Sequence, residues 1–115
     1  MTLHYTQPVV IIRAPFVVDR YGNETSERDW SAATRTIVRR VSVQPAESVE
    51  AEGDRQSVTT GLRLITRRGV DIDAVPGDRV EVAPGRVLDV DGDVARWTVG
   101  GRLHHVEVRL KEVSG

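Results

Sequence analysis

Apolar residues along this chain recur at short range, mostly every second position or in brief runs. The spacing of three and four that marks an amphipathic helix is sustained nowhere. Val9-Val10-Ile11-Ile12 opens the pattern and predicts a strand over Val9 to Arg13, closed by Pro15. The stretch Asp19-Arg20-Tyr21-Gly22-Asn23 reads as a turn-rich loop, and Ser26 to Arg35, which holds Trp30, reads as an irregular excursion. A second strand is expected over Thr36 to Val43, with Ile37, Val41 and Val43 on one face and Pro45 as its end, because proline cannot donate to a ladder. A third covers Ser57 to Thr66. The C-terminal third reads as an antiparallel meander: Arg79 to Val82, Arg86 to Val90, Val94 to Val99 and Leu103 to Val113. Its turns are Ala83-Pro84-Gly85, Asp91-Gly92 and Gly100-Gly101, the second a strong hairpin signal because both residues tolerate positive φ. The expected interior is Val80, Val82, Val94, Trp97, Val106, Val108 and Leu110.

Composition agrees with strands. The chain has 115 residues, among them 20 Val against 6 Leu and 8 Ala, and β-branched side chains favour a pleated surface. The length suits one domain, residues 1–115. The expected fold is therefore all-β: a small β-barrel or sandwich with a C-terminal antiparallel meander and long loops. Residues 1–8 and 19–35 are expected to be extended arms or loops.

Charge and missing residue types narrow the function. Sixteen basic and seventeen acidic side chains leave a net charge of −1, which disfavours a strongly basic nucleic-acid domain. Cysteine is lacking, which removes disulfides, thiolate metal sites and cysteine nucleophiles. No apolar run is long enough to span a membrane. The start reads as no secretory signal, so a cytosolic setting is expected. Nucleophile elbows and phosphate-binding glycine loops are missing. His104 and His105, adjacent on a strand, are expected on opposite faces, unable to share a metal. Asp89 to Asp93 fails as a calcium loop, since its glycine falls at the fourth position rather than the sixth. Asn23-Glu24-Thr25 reads as a chance glycosylation match. Arg39-Arg40 and Arg67-Arg68 are each expected to divide between faces. No catalytic residue, metal or cofactor is expected, and the chain does not read as an enzyme.

The longest interruption between strands is Gln44 to Gln56. It carries Glu47, Glu50, Glu52 and Asp54 against Arg55, with Gly53 near its middle. Loops of this length in compact domains are uncommon and often functional.

The ordered series Asp19-Arg20-Tyr21-Gly22-Asn23, Trp30-Ser31-Ala32-Ala33-Thr34-Arg35, Val43-Gln44-Pro45, Glu52-Gly53-Asp54-Arg55-Gln56, Gly77-Asp78-Arg79-Val80 and Trp97 to Val108 resembles the head-to-tail stopper family of actinobacterial tailed phages. The resemblance runs from about Val9 to Val113. It implies a β-barrel in a ring below the portal and its adaptor, closing the channel after DNA packaging and presenting the docking surface for the tail. It implies no cofactor. Implied partners are further copies of the chain, the adaptor, the tail terminator or tube, and packaged DNA held without sequence-specific binding. A closed ring has head-to-tail contacts, with about six copies expected and about twelve as the alternative. The implied location is the virion neck, reached from the host cytoplasm, with no membrane contact. In this frame Gln44 to Gln56 is the candidate channel loop, a gate or slippery lining. Arg20, Tyr21, Trp30 and Arg35 are candidate assembly contacts, with Val9 to Arg13 beside them. A tail terminator or tail-completion ring protein, and a non-viral β-barrel binding module, are the alternative readings.

Overall fold

A computed structural model describes residues 5–52 and 55–112. Among these residues nine strands run in chain order: β1 (Gln7–Arg13), β2 (Phe16–Val18), β3 (Glu24–Arg28), β4 (Thr34–Glu52), β5 (Arg55–Ile65), β6 (Arg79–Ala83), β7 (Arg86–Val90), β8 (Ala95–Val99) and β9 (Arg102–Glu112). A 3-10 turn, Trp30–Ala32, lies between β3 and β4. The expected all-β fold is the observed one.

The main sheet runs β5-β4-β1-β6-β7-β9-β8 and closes on itself through β5–β9 pairing. Strands β1, β6, β7, β9, β5 and β4 thus make a barrel, which removes the exposed edges an open sheet would leave. Alternate residues point inward: Val9 and Ile11 from β1, Leu64 from β5, Val80 and Val82 from β6, Leu88 and Val90 from β7, and Val106, Val108 and Leu110 from β9. Ile72 and Ala74, from the connection between β5 and β6, are buried in the same cluster. Expected core residues Val80, Val82, Val106, Val108 and Leu110 are all buried, and Val94 packs partly against them.

Trp97 is a correction. It is 54% exposed, because β8 pairs Trp97 with outward-facing His105 and Arg96 with inward-facing Val106. The inward position of β8 thus belongs to Arg96, which reaches Asp71 Oδ1 and the Ile72 carbonyl, each at 3.1 Å.

The Asp91-Gly92 hairpin is a second correction. β7 and β8 do not pair with each other; both run antiparallel to β9, at Leu110 to Glu112 and Arg102 to Glu107 respectively. Asp91 and Gly92 therefore interrupt one line of strand instead of reversing it. The Asp91 amide donates to the Arg109 carbonyl at 2.7 Å, and Gly92 absorbs the kink at φ +72°.

A third correction concerns β4. Ile37 is 59% exposed while Val41 is fully buried, although the sequence spacing puts both on one face. The register explains this: Val9 faces Val38 but Gln7 faces Val41, so β4 carries one extra residue at Arg39-Arg40. Arg40 takes φ +59°, as the first residue of a glycine-type bulge does. Because side chains alternate with period two, one extra residue reverses every face beyond it. Val38, Val41 and Val43 then share the interior.

β4 also runs past Pro45 to Glu52. The last β1 partner of β4 is Gln7, opposite Val41. Beyond it, among the described residues, one flank of β4 carries no ladder, and a residue without an N–H is tolerated there. Residues 19–35 are likewise more regular than expected, supplying the turn and second strand of the β2–β3 hairpin and then the 3-10 turn. Within residues 1–8, Gln7 and Pro8 belong to β1, and the first four residues lie outside the described ones.

Candidate functional site

The candidate channel loop folds as a two-stranded ribbon. β4 and β5 pair without a register shift from Ser42↔Ile65 to Glu52↔Arg55. β9 leaves β5 after Leu62↔Leu110. From Ala46↔Gly61 outward, among the described residues, the two strands pair only with each other, a span of about 20 Å at the antiparallel rise. Gln44 lies opposite Arg63 at the root, its Nε2 donating to Ser42 Oγ at 3.3 Å. Glu47 lies opposite Thr60, Glu50 opposite Ser57 and Glu52 opposite Arg55. Gly53 and Asp54 lie outside the described residues.

Gly61 marks where the ribbon leaves the barrel. A Cβ there would collide with the Leu110 carbonyl oxygen of β9. Only glycine lets β5 pass this close, a requirement of approach and not of φ.

The four candidate assembly contacts fall in two places. Arg20 and Tyr21 sit at the tip of the β2–β3 hairpin, where Asp19 Oδ1 accepts from the amides of Tyr21 and Asn23, both at 2.9 Å. The Arg20 guanidinium stacks 5.1 Å from the Tyr21 ring, and Tyr21 is 74% exposed. Arg28 pins the hairpin to the barrel by donating to the Ala14 carbonyl at 2.9 Å and lying 3.9 Å over Phe16. Trp30 and Arg35 instead meet across a cleft of about 390 Å³ on the outer face of β1, with Ile12, Arg79 and Val87. The Arg79 guanidinium covers the Trp30 ring at 3.9 Å, and Arg35 pairs with Glu81 at 3.2 Å.

Beside that cleft is an apolar groove of about 420 Å³, lined by Pro8, Val10, Ile37, Val82, Ala83 and Pro84 among others. Val10 faces Ile37 on one neighbour and Glu81 on the other. Apolar residues on both faces of β1 signal a strand covered on both sides, and the run Val9 to Ile12 carries that signal. Ile37 as part of the groove could not be read, since it depends on the bulge.

His104 and His105 are brought together rather than separated. Trp97 faces His105 but Thr98 faces Leu103, leaving His104 as the extra residue of a second bulge. The two rings lie edge to face, with their Nδ1 atoms 2.9 Å apart, one donating to the other. Trp97 stacks on His105 at 5.9 Å and donates through Nε1 to Glu107 Oε2 at 2.8 Å. No group of three or more metal-ligating side chains forms among the described residues.

A buried carboxylate is held at the opposite end of β1 from the groove. Asp78 is buried, and both its oxygens accept from Arg13, at 2.9 Å from Nη2 and 3.0 Å from Nε. It also accepts from the Val75 amide at 3.0 Å. Hydrogen bonds to Asp78, then to Asp73, push the Arg13 guanidinium above its ordinary value.

Comparison with protein-family models, with curated proteins and with solved structures finds no match to this chain.

Proposed function

We propose that the chain is a structural subunit of a tailed-phage neck, a head-to-tail stopper that performs no chemistry. The observation that carries this reading is the ribbon: a rigid closed barrel extends a pairing arm about 20 Å long, with four acidic residues in its outer sequence. Arranged in a ring of about six head-to-tail copies, such arms would converge on a channel. Their acids would form a negative collar that blocks DNA without adhering to it, since like charges repel phosphate. The barrel wall supplies the ring contacts. The apolar groove and the projecting Arg20-Tyr21 hairpin tip are different surfaces of one chain, as a non-isologous contact requires.

The test shortens the arm while keeping its register. Joining Glu47 to Thr60 through an Asn-Gly turn preserves a two-residue hairpin at the root. The shortened protein is expected to fold and to join the neck, while packaged heads lose their DNA. Heads that stay filled and infectious would place channel closure outside the ribbon and overturn the reading.

A further inference from the structure

The apolar groove and the β2–β3 hairpin stand at opposite ends of one strand. Gln7, Pro8 and Val10, from the start of β1, line the groove. The end of β1 leads through Ala14 and Pro15 into the hairpin. The seven residues of β1 set the two about 20 Å apart at the antiparallel rise, and no hairpin residue lines the groove of its own chain. The hairpin is held at its base, where Arg28 donates to the Ala14 carbonyl and the Asp29 amide to the Pro15 carbonyl at 2.8 Å. Among the described residues β2 and β3 pair with no other strand. A two-stranded hairpin is marginal alone in water, and this one leaves Val18 and Tyr21 exposed.

The two surfaces are chemically complementary. Besides its apolar lining the groove carries three polar side chains, Gln7, Arg39 and Glu81. Arg35 already holds Glu81 at 3.2 Å. Arg39 is exposed and forms no ion pair among the described residues. Gln7 Nε2 donates to the Val82 carbonyl at 2.6 Å. A carbonyl only accepts, so this bond fixes the amide and leaves Gln7 Oε1 as the groove's open acceptor. The hairpin tip offers the counterparts. Tyr21 has an apolar ring ending in one hydroxyl donor. Asp19 and Glu24 beside it form no ion pair among the described residues, and both amide bonds to Asp19 end on Oδ1, so Oδ2 is open. The Arg20 guanidinium stacked on the ring restrains it, so less side-chain freedom is lost on binding.

We infer that the groove of one copy receives the Tyr21 hairpin tip of the next. The inference rests on the ring reading for its occupant and names the contact that reading leaves open. The Tyr21 ring lies on Val10, Ile37 and Pro84, its hydroxyl donates to Gln7 Oε1, and the open acids of the tip face Arg39. Each copy gives a hairpin at one end of β1 and takes one at the other. The contact is therefore head-to-tail, and it continues from copy to copy until the ring closes. One tyrosine buries roughly 150–250 Å², far below the roughly 800 Å² per partner of a standard interface. A single contact is thus weak, and closure of the ring supplies the rest by making later contacts intramolecular.

The chain contains no cysteine, so thiol cross-linking reads only what is introduced. Asn23→Cys marks the tip and Ala83→Cys the groove; both positions are exposed, and both changes leave Tyr21, Gln7, Ile37 and Arg39 in place. The two variants, one isotopically labelled so that mass tells mixed from like dimers, are combined at about 0.5 mM, where a contact of millimolar Kd is partly formed. A short bifunctional thiol reagent is then added. Mixed dimer in excess of both like dimers is expected, and a chain carrying both cysteines should give a ladder of higher oligomers. Adding Tyr21→Ala to the tip variant, or Ile37→Arg to the groove variant, should lower the mixed product about tenfold or more, with amide spectra showing each chain folded. No cross-linking, a statistical mixture, or like dimers in excess would overturn the contact. Mixed product that Ile37→Arg abolishes but Tyr21→Ala leaves intact would also overturn it, and give the groove to another part of the second copy. Cross-linking needs no virion. Its failure alongside emptied heads from the shortened ribbon would refute only the hairpin contact, whereas the expected ladder with filled heads would refute only the stopper reading.

Discussion

Single residues decide more here than their chemistry suggests. Arg40 holds its bulge at φ +59°, which costs a non-glycine residue roughly 1–2 kcal/mol. Arg40→Gly is expected to recover about 1 kcal/mol of that, read as a higher denaturant midpoint with an unchanged slope. Asp78 works in the opposite direction. Its carboxylate satisfies Arg13 and the Val75 amide together. Asp78→Ala leaves the Val75 amide without its acceptor and Arg13 with Asp73 alone, and is expected to cost about 1–3 kcal/mol. The raised Arg13 value has a definite sign for pH. A base held above its unfolded value stabilises while it is charged and loses that contribution only as pH rises through the folded value. For a guanidinium that window lies beyond ordinary alkaline buffers, so raising the pH from neutral to mildly alkaline should leave this contribution intact. Trp97, half exposed and resting on His105, behaves as a surface residue. Trp97→Ala is expected to cost under about 1 kcal/mol rather than the roughly 3–5 kcal/mol of a core tryptophan, checked by thermal unfolding.

Elements are set by register more than by propensity. The turn glycines and prolines marked most strand ends well, since positive φ and a missing N–H act locally. They misled at Pro45 and at Asp91-Gly92. In both cases the neighbouring strand decides: Pro45 is tolerated because β1 has already left β4, and Asp91-Gly92 is drawn straight because β9 is long enough to pair with both β7 and β8. The two bulges show the same dependence. Neither Arg39-Arg40 nor His104-His105 carries the glycine that usually announces one. Deleting Arg40 tests the point. Without the extra residue, either Ile37 must replace Val38 in the core or Val41 and Val43 must turn outward. A loss of about 2 kcal/mol or more is expected, comparable to exposing a buried valine, measured as a lowered unfolding midpoint. Gly61 belongs to this scale too. Gly61→Val places side-chain atoms against the Leu110 carbonyl and is expected to detach the β5 side of the ribbon root from β9, seen as loss of amide protection at Leu62 and Leu64.

At the scale of the whole molecule the barrel and its projections divide the work. The radius of gyration is 16.1 Å, against about 13 Å for a compact domain of this length, as expected when a ribbon and a hairpin stand out from a small core. The apolar groove around Val10 and Ile37 lies on the barrel wall, away from that core. Ile37→Arg should therefore change stability by no more than about 0.5 kcal/mol. On the ring reading it should nonetheless abolish incorporation into the neck, measured by the protein content of purified particles.

The all-β class, most of the strands and most of the core were legible in the chain. Val alternation and turn residues act between near neighbours, and near neighbours are what a sequence displays. The acidic stretch before Gln56 was legible as exceptional for the same reason, but not its ribbon form. That form, the exposure of Trp97 and Ile37, the bulge at Arg39-Arg40 and the side-by-side placement of His104-His105 were decided by which strand lies beside which. A strand's face depends on counting residues in pairs from its partner's register, and one unannounced extra residue reverses the count. Contacts between residues far apart in the chain set that register, so only the closed barrel could reveal it.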